Sequence, residues 1–184
     1  MELFRTLMQY NPHWSALEIR GIVIVLTTGL IAVACLLCSR RIALSQAVSG
    51  LCLLVVLLMI FGTTVFTRTS GPDAMWRLRP FWSWRRALAG DREMLTEILL
   101  NIALLLPVGV LLPLTLRRPL NWWQGLLIGL LISSAIELGQ LLWRRGVFEL
   151  DDILHNSLGC LLGCAISSWC LRRWRHGPSG ADGN

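Results

Sequence analysis

Glu97 and Asn101 stand four residues apart, Ser133, Glu137 and Gln140 follow at steps of four and three, and Asp152, His155 and Asn156 at steps of three and one. Each spacing places its members on one helix face. Each set also interrupts a long apolar run. A lone carboxylate in hydrocarbon costs several kcal/mol, so Glu97 and Glu137 must turn inward and be either protonated or paired with donors. Arg144 or Arg145 is the nearest cation in sequence. Glu137 and Asp152 are therefore candidate general bases, and His155 a candidate proton carrier or metal ligand beside Asp151 and Asp152. Glu97, Asn101, Ser133, Glu137, Gln140, Arg145, Asp151, Asp152 and Asn156 form the candidate ligand-binding set. The competing reading is structural, because Asn, Gln and Ser in membranes often hydrogen-bond one helix to another. With one histidine in the group, no metal site is expected.

The elements that must position these groups are apolar helices. The chain has 184 residues, 54% of them hydrophobic and 15% charged, with a mean hydropathy of +0.60. That composition suits a chain dissolved in lipid. Runs long enough to cross a hydrocarbon core of roughly 30 Å fall at about 21 to 38, 42 to 66, 94 to 114, 124 to 143 and 153 to 171. The expected fold is thus an all-α, polytopic transmembrane bundle of about five spans. The first run is preceded by Arg5 and Arg20 and lacks an A-x-A cleavage site, so it reads as a retained helix rather than a signal peptide.

The third, fourth and fifth spans begin, end and begin on one side, so their polar faces share the same roughly 10 to 15 Å of depth. Pro107 removes a backbone donor and frees the carbonyl of Ala103, which predicts a kink or local unwinding in the third span. Gly159 and Gly163 form a small-x-x-x-small face that admits another helix closely.

All six cysteines fall inside predicted spans, where they act as small apolar residues and give no disulfide framework. The net charge of +6 comes from 17 arginines and no lysine. They lie between spans rather than in one stripe, which argues against a nucleic-acid partner. Arg40-Arg41, Arg117-Arg118 and Arg172-Arg173-Trp174-Arg175 sit at helix ends almost free of acids, as cytoplasmic anchors do. They predict the N-terminus outside and the C-terminus inside, although a raw arginine count favours the reverse. The long loop from 67 to 93 interleaves Trp76, Arg79, Phe81, Trp82, Trp84 and Arg85. Such a segment lies at the interface, either as an aromatic belt or as a lid that recognises an anionic headgroup. The tail, 174 to 184, is Gly/Ser-rich and reads as disordered.

Four pieces follow one another along residues 42 to 173: Leu78-Arg79-Pro80-Phe81 in the loop, Asn101 followed by Pro107-Val108-Gly109, Ser133-Ser134-Ala135-Ile136-Glu137-Leu138-Gly139-Gln140, and Arg145 with Asp151-Asp152, Asn156, Gly159 and Gly163. In that order they resemble the VanZ family, membrane proteins named for a member of teicoplanin-resistance clusters. No single piece is specific, and their order is what carries the likeness. It implies a four-helix membrane domain over 42 to 173, with residues 1 to 41 as an accessory segment and helix. It also implies a multi-pass protein of the bacterial cytoplasmic membrane, with the Glu-Gln and Asp-Asn motifs toward the outer surface.

The function implied is a cell-envelope role connected with low-level resistance to teicoplanin and other lipoglycopeptides. A polar outer-leaflet cavity would bind a lipid-linked or amphiphilic ligand, with membrane lipids, a lipid-linked cell-wall precursor or the lipoglycopeptide itself as partners. One alternative is an enzyme acting on a lipid headgroup, with Asp152 or Glu137 as base, Arg145 holding phosphate and Asn156 orienting the substrate. Another is a lipid or proton-coupled transporter that uses the carboxylates as a relay. The sequence contains no Gly-rich phosphate loop, nucleophile elbow or metal-ligand cluster, and no cofactor is expected. It sets no oligomeric state.

Overall fold

The computed structural model describes residues 27–29, 31–33, 35, 41–66 and 75–176. Most of the first predicted span, the N-terminal segment and the residues after His176 lie outside that set. The described part of the first span is helical, and its Gly29 abuts Cys52 of the next helix. The remaining elements, in chain order, are α1 (Ile42–Phe61), a π-turn (Gly62–Phe66), β1 (Met75–Arg77), α2 (Trp82–Leu88), α3 (Arg92–Leu116), α4 (Trp122–Leu142), β2 (Val147–Glu149) and α5 (Leu150–His176).

Among the described residues, four helices are long and apolar enough to cross a membrane: Ala43–Val65, Arg92–Leu116, Trp122–Leu142 and Leu150–Trp174. The protein is an all-α membrane bundle, and each predicted span from the second to the fifth has its helix. The expected unwinding at Pro107 does not occur, since α3 is helical without interruption through both Pro107 and Pro113. One missing donor at each proline, in a helix of 25 residues, leaves the flanking hydrogen bonds to hold the backbone.

The core of the bundle is the α3/α5 seam. An ideal Cβ on Gly159 would stand 1.9 Å from the Ile102 carbonyl oxygen, and one on Gly109 would stand 2.1 Å from that of Cys160. The two backbones therefore touch, which only glycine permits. Lipid tails are as apolar as leucine, so such close packing, rather than hydrophobic exclusion, is what holds helices together in a bilayer. Leu105, Val108, Leu111, Ile136, Cys160 and Cys164 fill the interior. Leu51, Leu54 and Leu58 on α1, Leu127 and Leu131 on α4, and Ile166 and Trp169 on α5 face outward, where lipid would meet them.

Polar ties fix the helix ends. Away from the loop from 67 to 93, the Leu120 amide donates to Ser168 Oγ at 2.8 Å and Gln46 Nε2 donates to the Thr115 carbonyl at 2.8 Å. At the start of α3, Asp91 Oδ1 accepts from the Met94 amide at 3.1 Å. That bond, together with Arg86, holds the Asp91 carboxyl below the usual carboxylate range.

The loop from 67 to 93 contains structure that periodicity did not announce. Its β1 pairs in parallel with β2, in the register Met75 to Val147, Trp76 to Phe148 and Arg77 to Glu149. Two three-residue strands cannot stand alone. They survive here because the Asp151 carboxylate of α5 holds Phe81 and Ser83 just after β1, while Glu137 of α4 holds the Glu149 amide of β2.

Candidate functional site

The polar groups collect where α3 starts, α4 ends and α5 starts, as connectivity required. Asn101 Nδ2 on α3 donates to Asp152 Oδ1 on α5 at 2.6 Å. One turn deeper along α5, Asn156 Nδ2 donates to Ser133 Oγ on α4 at 2.9 Å. Glu137, 2% exposed, accepts from the Glu149 amide through Oε2 at 2.9 Å, which fastens β2 to α4. The three predicted helix faces thus meet through hydrogen bonds between side chains or from side chain to backbone.

Two members of the predicted set serve the π-turn. A π-turn leaves its last carbonyls without a donor inside the element. Gln140 Nε2 donates to the Thr64 carbonyl at 3.2 Å and Arg145 Nη1 to that of Val65 at 3.3 Å.

Asp151 and Asp152, adjacent in sequence, do different work. Asp152 faces α3. Asp151, 1% exposed, caps the interfacial helix α2 from a distance: its carboxylate accepts from the Phe81 amide at 2.6 Å, the Ser83 amide at 2.9 Å and Ser83 Oγ at 2.5 Å. The first N–H groups of a helix have no partner inside it and carry partial positive charge, so a carboxylate is the natural acceptor. Phe81 holds a left-handed backbone, φ 58°, to present its amide.

The loop residues divide by burial. Trp76, Arg79, Phe81 and Arg85 are exposed on the outside of the bundle. Trp82 is half-buried beneath Arg77, whose guanidinium lies 4.0 Å from the ring centroid. Trp84 meets His155 edge to face at 5.7 Å. His155 is 2% exposed, and neither of its ring nitrogens has a hydrogen-bond partner. Among the described residues no group of three or more His, Cys, Asp or Glu could hold a metal ion.

Sequence reasoning missed Arg77, Glu149 and Ser83. Arg77 Nη1 and Glu149 Oε1 form an ion pair at 2.7 Å, because they are cross-strand partners whose side chains leave the same face of the ribbon. The alternation Trp76-Arg77-Leu78-Arg79 was the available signal, but so short a run is too little for a period to register.

Burial pushes the Glu149 carboxyl up, Arg77 opposes this, and the like charge of Glu97 adds to the rise. Folding therefore favours the protonated acid. The stability this gives is full below the ordinary glutamate range and is lost as pH climbs through the raised value. Glu149→Gln removes the titration, so the stability of wild type relative to this variant should fall as pH rises through that window. Thermal unfolding of both proteins in one detergent at stepped pH measures it, and a difference that grows with pH would contradict the burial argument.

No curated protein and no solved structure matches this chain. Among known families, the VanZ/LLP1 family matches residues 47–171, a stretch that begins in α1 and ends in α5 and includes every polar contact of the cluster. That match covers most of the chain and reaches into all four described spans, and so the chain belongs to the VanZ/LLP1 family.

Proposed function

We propose that this VanZ-like membrane protein binds the polar head of an amphiphilic or lipid-linked molecule at the membrane face where α3, α4 and α5 meet. One observation carries the reading. Ionisable and amide groups from three spans converge at one end of the bundle, beside a Trp/Arg-rich segment that is itself clamped to α5 by Asp151. Simple bundle packing needs amides and hydroxyls; four carboxylates at one depth are a costly way to obtain it. An interfacial helix that exposes Arg85 suits a headgroup that enters from the lipid surface.

In this reading the cluster faces outward, the arginines at the other helix ends face the cytoplasm, and the protein resides in a bacterial cytoplasmic membrane. Residues 1 to 41 supply an N-terminal segment and an accessory transmembrane helix beside the four-helix domain. Sequestering a lipid-linked wall precursor, or the lipoglycopeptide directed against it, would give low-level teicoplanin resistance. Single cysteines at Ala89 and Arg118 on a cysteine-free background test the orientation, with Ala89→Cys labelled from outside and Arg118→Cys protected.

The functional test expresses wild type, Glu97→Gln and Asp152→Asn in a teicoplanin-sensitive bacterium. Inhibitory concentration and the pool of lipid-linked wall precursors are the readouts. A rise in inhibitory concentration with wild type that the variants lose supports binding. Well-expressed wild type that changes neither readout sinks it. The enzymatic reading keeps one specific observation in its favour, the Asp152 carboxylate held by Asn101 as an oriented base would be. A new or depleted lipid species that vanishes with Asp152→Asn would select it.

A further inference from the structure

His155 stands on the stripe of α5 that faces α2, one turn below Asp151. It is 2% exposed, and among the described residues neither Nδ1 nor Nε2 meets a hydrogen-bond partner. A neutral imidazole carries one donor and one acceptor, so both are left unsatisfied. Each disfavours the state that buries it by about fivefold or more. A phenylalanine would fill the same place against Trp84 without that cost. The cost is recovered only in a state where water reaches the ring.

What covers the ring is small and latched at one point. Trp84, whose ring meets His155 edge to face at 5.7 Å, belongs to α2, a helix of seven residues. Asp151 ties α2 to α5 by accepting from the Phe81 and Ser83 amides and from Ser83 Oγ. Behind the ring runs the α3/α5 seam. Gly159 abuts Ile102 there and Gly163 abuts Leu106. Carried back along both helices, that register puts Ile98 level with His155 and Met94 level with Asp151, and both are buried apolar residues. Water therefore reaches His155 when α2 lifts.

Charged groups on the neighbouring elements are otherwise engaged or turned away. Asp152, three residues before His155, accepts from Asn101 of α3. On α2, Arg85 and Arg86 are exposed, and Arg86 pairs with Asp91. Glu97 lies on the Asn101 side of α3, away from the Ile98 stripe. Glu137 of α4 holds the Glu149 amide, and the Glu149 carboxylate holds Arg77. With α2 closed, an imidazolium would be a buried charge whose two N–H groups meet nothing. With α2 lifted the ring is hydrated, and Asp151 has lost its three donors. Carboxylate and imidazolium four residues apart on one helix then attract each other.

We propose that α2 is a proton-operated lid: His155 takes a proton from water when α2 lifts from α5, and the Asp151 carboxylate leaves the α2 amides to pair with the imidazolium. One carboxylate thus serves both states, and acid favours the open one. The lid works with or without a bound headgroup.

The test follows hydrogen exchange of the full chain in nanodiscs at pH 7.5, 6.5 and 5.5, by mass spectrometry of the peptide that covers α2. Dividing the wild-type rate by that of His155→Phe at the same pH cancels the pH dependence of the exchange chemistry itself. A hydrated imidazole titrates at about pH 6.5, so uptake of one proton should raise the ratio about tenfold from pH 7.5 to 5.5. His155→Gln, polar but unable to take up a proton in this range, is the second variant and should give the same rise. Glu149→Gln should keep the wild-type response, which separates His155 from the acid paired with Arg77. A peptide from α4 should show no such rise, because the opening is local. A flat ratio against a folded His155 variant, a response that Glu149→Gln abolishes, or an equal rise in the α4 peptide overturns the lid.

Discussion

Replacing Gly159 by leucine should abolish the folded bundle. The Gly159 Cβ position lies 1.9 Å from the Ile102 carbonyl oxygen, 2.8 Å from its carbon and 3.3 Å from its Cα. Three backbone atoms of a facing helix cannot yield as a flexible side chain would. α3 and α5 would have to part along their length, losing the neighbouring contacts of Gly109 and Gly163 together. The expected loss is about 3 kcal/mol or more, at the upper end for overpacking. Even Gly159→Ala should be severe, because Cβ alone makes the clash. Gly62→Ala is the control: nothing lies within 4 Å of its Cβ position, and its φ of −54° suits any residue. Monodisperse yield in detergent and the melting temperature of the purified chain separate the two. A Gly159→Leu protein that melts with wild type would mean the seam is not as close as described.

The second large effect belongs to Asp151. Asp151→Ala strips the acceptor from the amides of Phe81 and Ser83 and from Ser83 Oγ, two donors of which lie on a buried residue. Hydrogen bonds to a charged group contribute about 1.5 to 3 kcal/mol each, and the donors left behind carry their own desolvation cost. The consequence is local rather than global. α2 is a single short helix held to α5 by this carboxylate, so it should detach while the four spans stay folded. Trypsin cleavage after Arg85 and Arg86 ought to accelerate at least tenfold, as about 1.4 kcal/mol of local opening already implies. His155, now covered by Trp84, should become open to imidazole-directed modification at the same time. Asp151→Asn keeps one acceptor oxygen and should fall between the two. Unchanged cleavage in Asp151→Ala would show that α2 is held by something else.

Both outcomes turn on the difference between what a sequence encodes locally and what it encodes only through contact. The helices were legible because an apolar run of this length has few alternatives in lipid: every backbone N–H and C=O must be satisfied internally. The shared depth of Glu97 with Asn101, Ser133 with Glu137, and Asp152 with Asn156 was legible too, since it follows from helical rise and chain direction alone. The small-residue face of Gly159 and Gly163 announced a close partner, though not that α3 would be that partner.

Tertiary structure decided the rest. Asp151 and Asp152 are indistinguishable by type and position, yet a 100° turn of the helix sends one to the α2 amides and the other to Asn101. Arg77 and Glu149 lie 72 residues apart and become partners only through the register of a parallel ribbon too short to carry a periodic signal. Helical periodicity is written in neighbouring residues, and so it survives in one dimension. Pairing across a bundle depends on rotation and register, which packing sets.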